Sequence, residues 1–230
     1  MSRMFLIDGK PMTTWNIFVG CKFECTYCNA RKAALSRFRH SERYRDGFRP
    51  KYIKEELRRR FKPGEWVFVA YMGDIACASR EVVINILERI QDFPETNFLF
   101  CTKHPLIYWF WHLAWPDNCH LGATIETTED YKLSLAPIPR ERYRAMIAAE
   151  LEGKKKFISI EPIMDFKWAT MVKWMEEIKP SIIEIGADNY QNRLKEPPPW
   201  KVKALLRDLK GICPVVVEKP GLERLTGEVD

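Results

Sequence analysis

Three cysteines fall within eight residues, Cys21-Lys-Phe-Glu-Cys25-Thr-Tyr-Cys28, directly after the apolar run TTWNIFVG. This C-x3-C-x2-C spacing puts three thiols on one tight loop at the carboxyl end of a predicted strand. Three thiolates so placed can hold three irons of a 4Fe-4S cubane. The fourth iron then has no protein ligand, and S-adenosylmethionine (SAM) can chelate it through its amino and carboxylate groups. An electron from the cluster can then break a carbon–sulfur bond of SAM and release a 5′-deoxyadenosyl radical. A structural zinc site is the competing use of a short cysteine motif, but such sites want four closed ligands, usually as two separated pairs. No second pair is present, and His40 is the residue that would have to complete a zinc site. Ordinary buried cysteines would not need this spacing at a strand end.

The other cysteines, Cys77, Cys101, Cys119 and Cys213, are scattered and form no close pair, so one cluster is the expected count. Seven cysteines in this arrangement do not make a secreted disulfide framework; metal or redox chemistry is the better reading. The 230 residues, 46% of them hydrophobic, suffice for one large α/β domain spanning residues 1–230. No apolar run approaches the roughly 18 residues that a membrane span needs, and MSRMFLIDGK lacks the features of a leader, so a soluble, cytoplasmic protein is expected. The net charge of +6 is unevenly spread. Residues 31–62 hold thirteen Lys or Arg against four acids, a block of +9, and leave −3 elsewhere. Such a block suits an anionic partner, RNA or DNA being the commonest; a solvated helix and loop is the bland alternative.

Elements that could position this chemistry recur in a rhythm. Apolar, β-branched or aromatic runs predict strands near 14–19, 66–72, 97–102, 120–125, 157–161, 182–186 and 214–218. Amphipathic segments between them predict helices near 29–39, 51–61, 80–91, 105–113, 139–151, 167–178 and 199–210. Ser79 is placed to N-cap the third helix, and Pro197-Pro198-Pro199 to start the last stiffly. Strand and helix in alternation predict a parallel sheet with right-handed crossovers. The units bend most naturally into a partial (β/α)6-type TIM barrel with an added seventh strand, an open doubly wound sheet being the runner-up. The aromatic segment 106–113 invites a base-stacking reading, but apolar residues on all sides of a short helix point to burial.

Nearly every predicted strand ends in a charge: Asp74, Lys103, Glu126, Glu161, Asp188, Glu218. The carboxyl ends of parallel strands carry the site in such folds. A period of two places Thr124 with Glu126, Ser159 with Glu161, and Glu184 with Gly186 and Asp188 on common faces, as if lining a cavity.

At the cysteine motif the sequence resembles the radical SAM superfamily, whose signature is this spacing after the first strand of a partial barrel. Tyr27 fills the place of the aromatic that lies by the SAM adenine there. Met72-Gly73-Asp74 looks like the motif that receives the SAM amino group, with Asp for the usual Glu and Met for the first Gly. Further segments are similar to a phage- and prokaryote-encoded branch of radical SAM proteins related to spore photoproduct lyase. They are Cys101-Thr-Lys-His-Pro105, Leu121-Gly-Ala-Thr-Ile-Glu126, Ile158-Ser-Ile-Glu-Pro162, Ile183-Glu-Ile-Gly186 and Val217-Glu-Lys219. Asn29 departs from that branch, where an aromatic commonly follows the third cysteine.

The resemblance implies that Cys21, Cys25 and Cys28 ligate a 4Fe-4S cluster supplied with electrons by a flavodoxin- or ferredoxin-type donor. Tyr27, Gly73, Asp74, Thr102, Thr124, Glu126 and Ser159 are expected on the SAM side, with Asp74 on its amino group and Glu126 on its ribose. Lys103, His104, Glu161, Glu184, Asp188 and Lys219 are expected to face substrate. Cys77 is the candidate hydrogen-atom donor, because lyases of the related branch use a cysteine in that way. Carboxylates can accept from amino groups on a base edge, and the basic segment 31–62 can hold phosphates, so the expected reaction is modification or repair of a nucleic acid or nucleotide. A small molecule or peptide is the alternative substrate, and a metal-stabilised nucleic-acid-binding module without catalysis the alternative outside the enzymes.

Overall fold

The structure, a computed structural model, describes residues 6, 7 and 10–227. Most of the N-terminal stretch read for a leader therefore lies outside the described residues. Seven parallel strands form one sheet, β1 (Thr13–Trp15), β2 (Trp66–Val69), β3 (Asn97–Thr102), β4 (Cys119–Thr124), β5 (Lys156–Ile160), β6 (Ile182–Ile185) and β7 (Val215–Glu218), each hydrogen-bonded to the next in chain order. The sheet curls into a half-barrel, the partial-barrel architecture expected from the alternation of strands and helices. The helices are α1 (Asn29–Leu35), α2 (Arg80–Gln91), α3 (Ile107–Phe110), α4 (Pro139–Met146), α5 (Trp168–Ile178), α6 (Pro199–Ile212) and α7 (Glu223–Thr226). Among the described residues no helix is long and apolar enough to cross a membrane.

The period of two sorts each strand between two environments. On the convex face Val67, Val69, Phe98, Phe100, Leu121, Ile158 and Ile183 meet the stripes of α2 (Val83, Ile86, Leu87, Ile90), α5 (Met171, Trp174, Met175, Ile178) and α6 (Val202, Leu205, Leu206, Leu209). Each fully buried aliphatic side chain contributes about 1.5–3 kcal/mol. Ser79 caps α2 through its hydroxyl, which accepts from the Val82 N–H, and Pro199 occupies the first turn of α6 after Pro198. On the concave face Trp66, Leu99, Phe157 and Ile182 join Ile7 and Met12 in a separate apolar layer. This layer closes the amino end of the half-barrel, so the polar residues further along the same strands line its open end.

His120 sits in that closed end against Trp66, with ring centroids 4.7 Å apart and both ring nitrogens buried without a hydrogen bond. Burial, reinforced by Lys155, pulls its imidazole from the ordinary 6.5 down to about 4. Below about pH 6.5 the unfolded chain takes up a proton that the folded chain refuses. Stability is therefore fully present above that pH and is lost as pH falls toward 4. Urea denaturation across this window is expected to show a flatter stability–pH curve for His120→Phe than for the wild type; parallel curves would contradict the assignment.

The helices read at 29–39 and 139–151 end early, at Leu35 and Met146, the latter followed by a 3-10 turn at Ala149–Leu151, and four further elements differ more. The strand read at 14–19 splits, because Phe18–Val19 leaves the sheet to pair antiparallel with Lys51–Tyr52. The same pairing overturns the helix read at 51–61, of which only a 3-10 turn at Lys54–Arg58 remains; the chain is extended again at Arg59. Ile53 and Leu57 mimic a helical stripe but are satisfied by that one turn. The strand read at 66–72 stops at Val69, since Ala70 turns the chain with φ 56° while its N–H reaches Trp15 O at 2.8 Å. The segment 105–113 contributes only the four residues of α3: Ile107 and Tyr108 are buried as expected, whereas Phe110 is 60% exposed.

Candidate functional site

The cysteine loop leaves the carboxyl end of the first strand and is clamped from both sides. At its start Gly20 (φ 79°) bridges Gly73: Gly20 N donates to Met72 O at 2.9 Å, and Asp74 N donates to Gly20 O at 3.2 Å. A Cβ on Gly73 would lie 2.9 Å from the Gly20 carbonyl oxygen, so this approach requires glycine. At its middle, Thr26 N donates to Leu133 O (3.0 Å) and Leu135 N to Phe23 O (2.7 Å). Cys25 Sγ lies 3.1 Å from Ser134 Oγ. At its end Cys28 N-caps α1, its sulfur accepting from Arg31 N at 3.3 Å. Cys21 Sγ accepts from Phe23 N at 3.3 Å.

Cys21, Cys25 and Cys28 line one cavity of about 370 Å³ at the open end of the half-barrel. Of the residues expected on the SAM side, Tyr27, Gly73, Asp74, Thr124 and Ser159 line it too. Of those expected to face substrate, so do Lys103, Glu161, Glu184, Asp188 and Lys219. Strand register accounts for the convergence: Thr124 pairs with Ser159, Ser159 with Glu184 and Glu184 with Val217, forming one row across β4 to β7. Two residues further on, Glu161 faces Lys219 across Gly186, where a Cβ would stand 2.9 Å from Glu161 Oε1. Glu161 and Lys219 form an ion pair, and Glu184 Oε2 lies 3.6 Å from Lys219 Nζ. Burial raises the Glu184 carboxyl to about 7, with Glu161 adding to the effect and Lys219 opposing it.

Asp74 is buried beneath the Gly73 turn. Its Oδ1 accepts from Thr102 Oγ1 (2.5 Å) and Ala76 N (2.9 Å), and its Oδ2 from Lys103 N (3.0 Å). Burial raises its pKa against these hydrogen bonds. Thr102 thus acts on the Asp74 carboxylate rather than at the cavity wall.

Glu126 anchors a buried network behind the wall. Its Oε1 accepts from Tyr27 Oη and from Lys103 Nζ (2.6 Å), its Oε2 accepts from Arg142 Nη1 (2.8 Å), and Lys103 Nζ also donates to Tyr27 Oη at 2.8 Å. Arg142, 3% exposed, additionally donates to Thr124 O (3.1 Å) and Pro137 O (2.6 Å). Burial would raise the Glu126 carboxyl, but Lys103 and Arg142 outweigh it and hold the group at about 2. Both oxygens are engaged by protein, and Glu126, expected at the SAM ribose, does not line the cavity.

His104 also stays off the cavity and lines a neighbouring hollow, edge-on to Phe23 at 6.4 Å. Cys77 ends the 3-10 turn Ile75–Cys77 beside the Cys21 thiol, its sulfur accepting from Lys22 N at 3.4 Å, and does not line the cavity either. His40 is exposed and bonded to its neighbour Arg39. Sequence reasoning missed Gly20, Tyr71, Arg142 and Tyr190. A lone glycine, two tyrosines in turns and an arginine in a charged helix carry no spacing signal; only tertiary contact marks them.

Among the described residues no three His, Cys, Asp or Glu side chains are gathered at metal-binding spacing. The donor set still fits a cluster bound by three thiolates. All three sulfurs come from one clamped loop onto one cavity, and backbone N–H groups point at two of them.

Fold and site together define the class: a half-barrel of parallel strands with a three-cysteine loop after its first strand and polar strand ends across the cavity. A family model described as "Protein of unknown function (DUF5131)" matches residues 11–178, and the chain belongs to that family. No curated protein matches the sequence. Among solved structures it is similar to a spore photoproduct lyase variant with bound AdoMet (S-adenosylmethionine) and dinucleoside spore photoproduct. The TM-score is 0.62 at 10% identity, covering 94% of this chain and 79% of that one. Spore photoproduct lyase complexed with dinucleoside spore photoproduct gives a TM-score of 0.63 at 10% identity and the same coverage. At this identity the likeness is one of fold.

Proposed function

We propose that the protein is a radical SAM enzyme acting on a nucleic acid or nucleotide. The observation that carries this reading is the meeting, in one cavity, of all three motif cysteines with polar residues from the ends of successive strands. The lyase of similar fold, with AdoMet and a dinucleoside bound, supports both halves of it. In this reading Cys21, Cys25 and Cys28 hold a 4Fe-4S cluster, which when bound supplies the electron that cleaves SAM. The chain's own residues do the rest. Asp74 receives the SAM amino group beside Gly73, and Tyr27, fixed by Glu126 and Lys103, borders the adenine. Thr124 and Ser159 offer hydroxyls to the cofactor, while Glu161, Glu184, Asp188 and Lys219 meet substrate. Asn29, Ala30 and Phe48 line the cavity, so the basic segment 31–62 flanks its mouth. Ten of that segment's thirteen cations are exposed; Arg31, Arg43 and Arg59 are half-buried, and Arg59 packs on Phe61. The exposed ones are placed to hold phosphates outside the cavity.

A second reading rests on the Cys77 thiol beside Cys21, which would give a closed four-cysteine zinc site and a binding module without catalysis. Metal analysis separates the two. Protein reconstituted anaerobically with iron and sulfide is expected to hold about four of each and to turn brown. Stoichiometric zinc with no bindable iron would remove the enzyme reading.

A further inference from the structure

Part of the cavity wall carries a constellation that cofactor binding does not use. Glu184 is 4% exposed, and its Oε2 is buried without a hydrogen bond. Lys219 Nζ at 3.6 Å balances its charge without bonding it, so this buried acceptor has room for a donor from a ligand. Two tyrosines on the same cavity leave large apolar surface uncovered, Tyr71 at 42% and Tyr190 at 58% exposure. Tyr71 is braced edge-on by Phe68 at 5.4 Å and lies within electrostatic reach of Lys219, Glu161, Tyr190 and Glu184. Tyr190 is held by Asp188, whose Oδ1 accepts from Tyr190 N at 3.2 Å. Asp188 is itself fixed by Asn192, which donates its backbone N–H at 2.6 Å and its side-chain amide at 2.5 Å.

We propose that Tyr71, Tyr190, Glu184 and Lys219 form a pocket for one unstacked nucleobase of the lactam type, with a ring N–H beside a carbonyl. This deepens the nucleic-acid reading above and rests on it. The tyrosines supply faces on which a base can stack, which is sequence-tolerant. Selection lies at the edge. An ionised Glu184 accepts and Lys219 donates, which matches the adjacent N–H and C=O of thymine, uracil, guanine or hypoxanthine. Adenine and cytosine present a bare ring nitrogen at that position and would leave Glu184 facing an acceptor. The carboxylates of Glu161, Glu184 and Asp188 repel phosphate, so the base enters while its phosphates stay with the basic segment outside, as in enzymes that extrude a base.

The test uses the anaerobically prepared full chain and fluorescence anisotropy, above pH 7 so that Glu184 is ionised. The probes are single strands of about twelve abasic nucleotides carrying one central base. Thymine or hypoxanthine is expected to tighten binding about tenfold over the wholly abasic strand, and methylation of the ring nitrogen to remove that gain. Glu184→Leu should bind methylated and unmethylated strands alike. Tyr190→Ala, a change at an exposed side chain, should lose most of the gain while keeping salt-dependent binding of the abasic strand. If all strands bind alike, or adenine and cytosine gain as much as thymine, the pocket is overturned and the nucleic-acid reading stands. If no strand binds at low salt, both are overturned.

Discussion

Cys21→Ala, Cys25→Ala and Cys28→Ala are each expected to reduce release of 5′-deoxyadenosine from SAM to background, while Cys213→Ala keeps wild-type release. Three thiolates on a four-iron cubane leave just one iron open, so losing any one removes a ligand that nothing on the clamped loop replaces. Cys213 is buried just after α6, its thiol donating to Val215 O at the start of β7 at 3.2 Å, away from the cavity. Cys77→Ala provides a sharper control. In a three-cysteine site it keeps its iron, whereas in a closed four-cysteine site it loses its metal. Equal release from the Cys21, Cys25, Cys28 and Cys213 variants would contradict the ligand assignment.

Arg142→Met is expected to destabilise the fold by about 1.5–3 kcal/mol, the cost of taking the charge-assisted partner from Glu126 Oε2 while Oε1 keeps Tyr27 and Lys103. Glu126 and Arg142 are both almost wholly buried, and Lys103 alone then remains to balance Glu126. Adding Glu126→Gln should recover part of the loss, because a neutral amide needs no cation at the Arg142 side. The pair also sets an acid response. The Glu126 carboxyl is held at about 2, below its ordinary 4.5, so its contribution is present above pH 4.5 and is lost as pH falls toward 2. Denaturant titrations of the single and double variants measure both effects. A loss below about 1 kcal/mol for Arg142→Met would place the pair among ordinary surface bridges and contradict the network.

Much of the architecture was legible because it repeats. Convex-face apolar residues at period two and helix stripes at i, i+3 and i+4 obey local rules, and β2 to β7 and α1 to α6 were found from them, whereas α7 was not read and the helix read at 51–61 is absent. Tertiary pairing defeated the rules where it overrode propensity: Lys51–Tyr52 joins Phe18–Val19 although Ile53 and Leu57 have helical spacing. Most strand-end residues reached the cavity because parallel register aligns carboxyl ends. Thr102 did not, because it pairs with Ala123 of the convex layer and so lies on the other face, and His104 lines a neighbouring hollow. Glu126 did not either, since alternation predicts a face but not which polar groups find a buried partner first. Arg142 was illegible for the same reason. In α4 it reads as one more solvated cation, and only the Glu126 carboxylate past the end of β4 makes it a buried one.

The most direct measurement is anaerobic incubation of the reconstituted protein with SAM, dithionite and cellular nucleic acid, followed by chromatography of small products and digested nucleosides. The account predicts 5′-deoxyadenosine together with a changed nucleoside, both absent from the Cys28→Ala variant. Cluster-loaded, folded protein that binds SAM yet yields no 5′-deoxyadenosine under these conditions would contradict it.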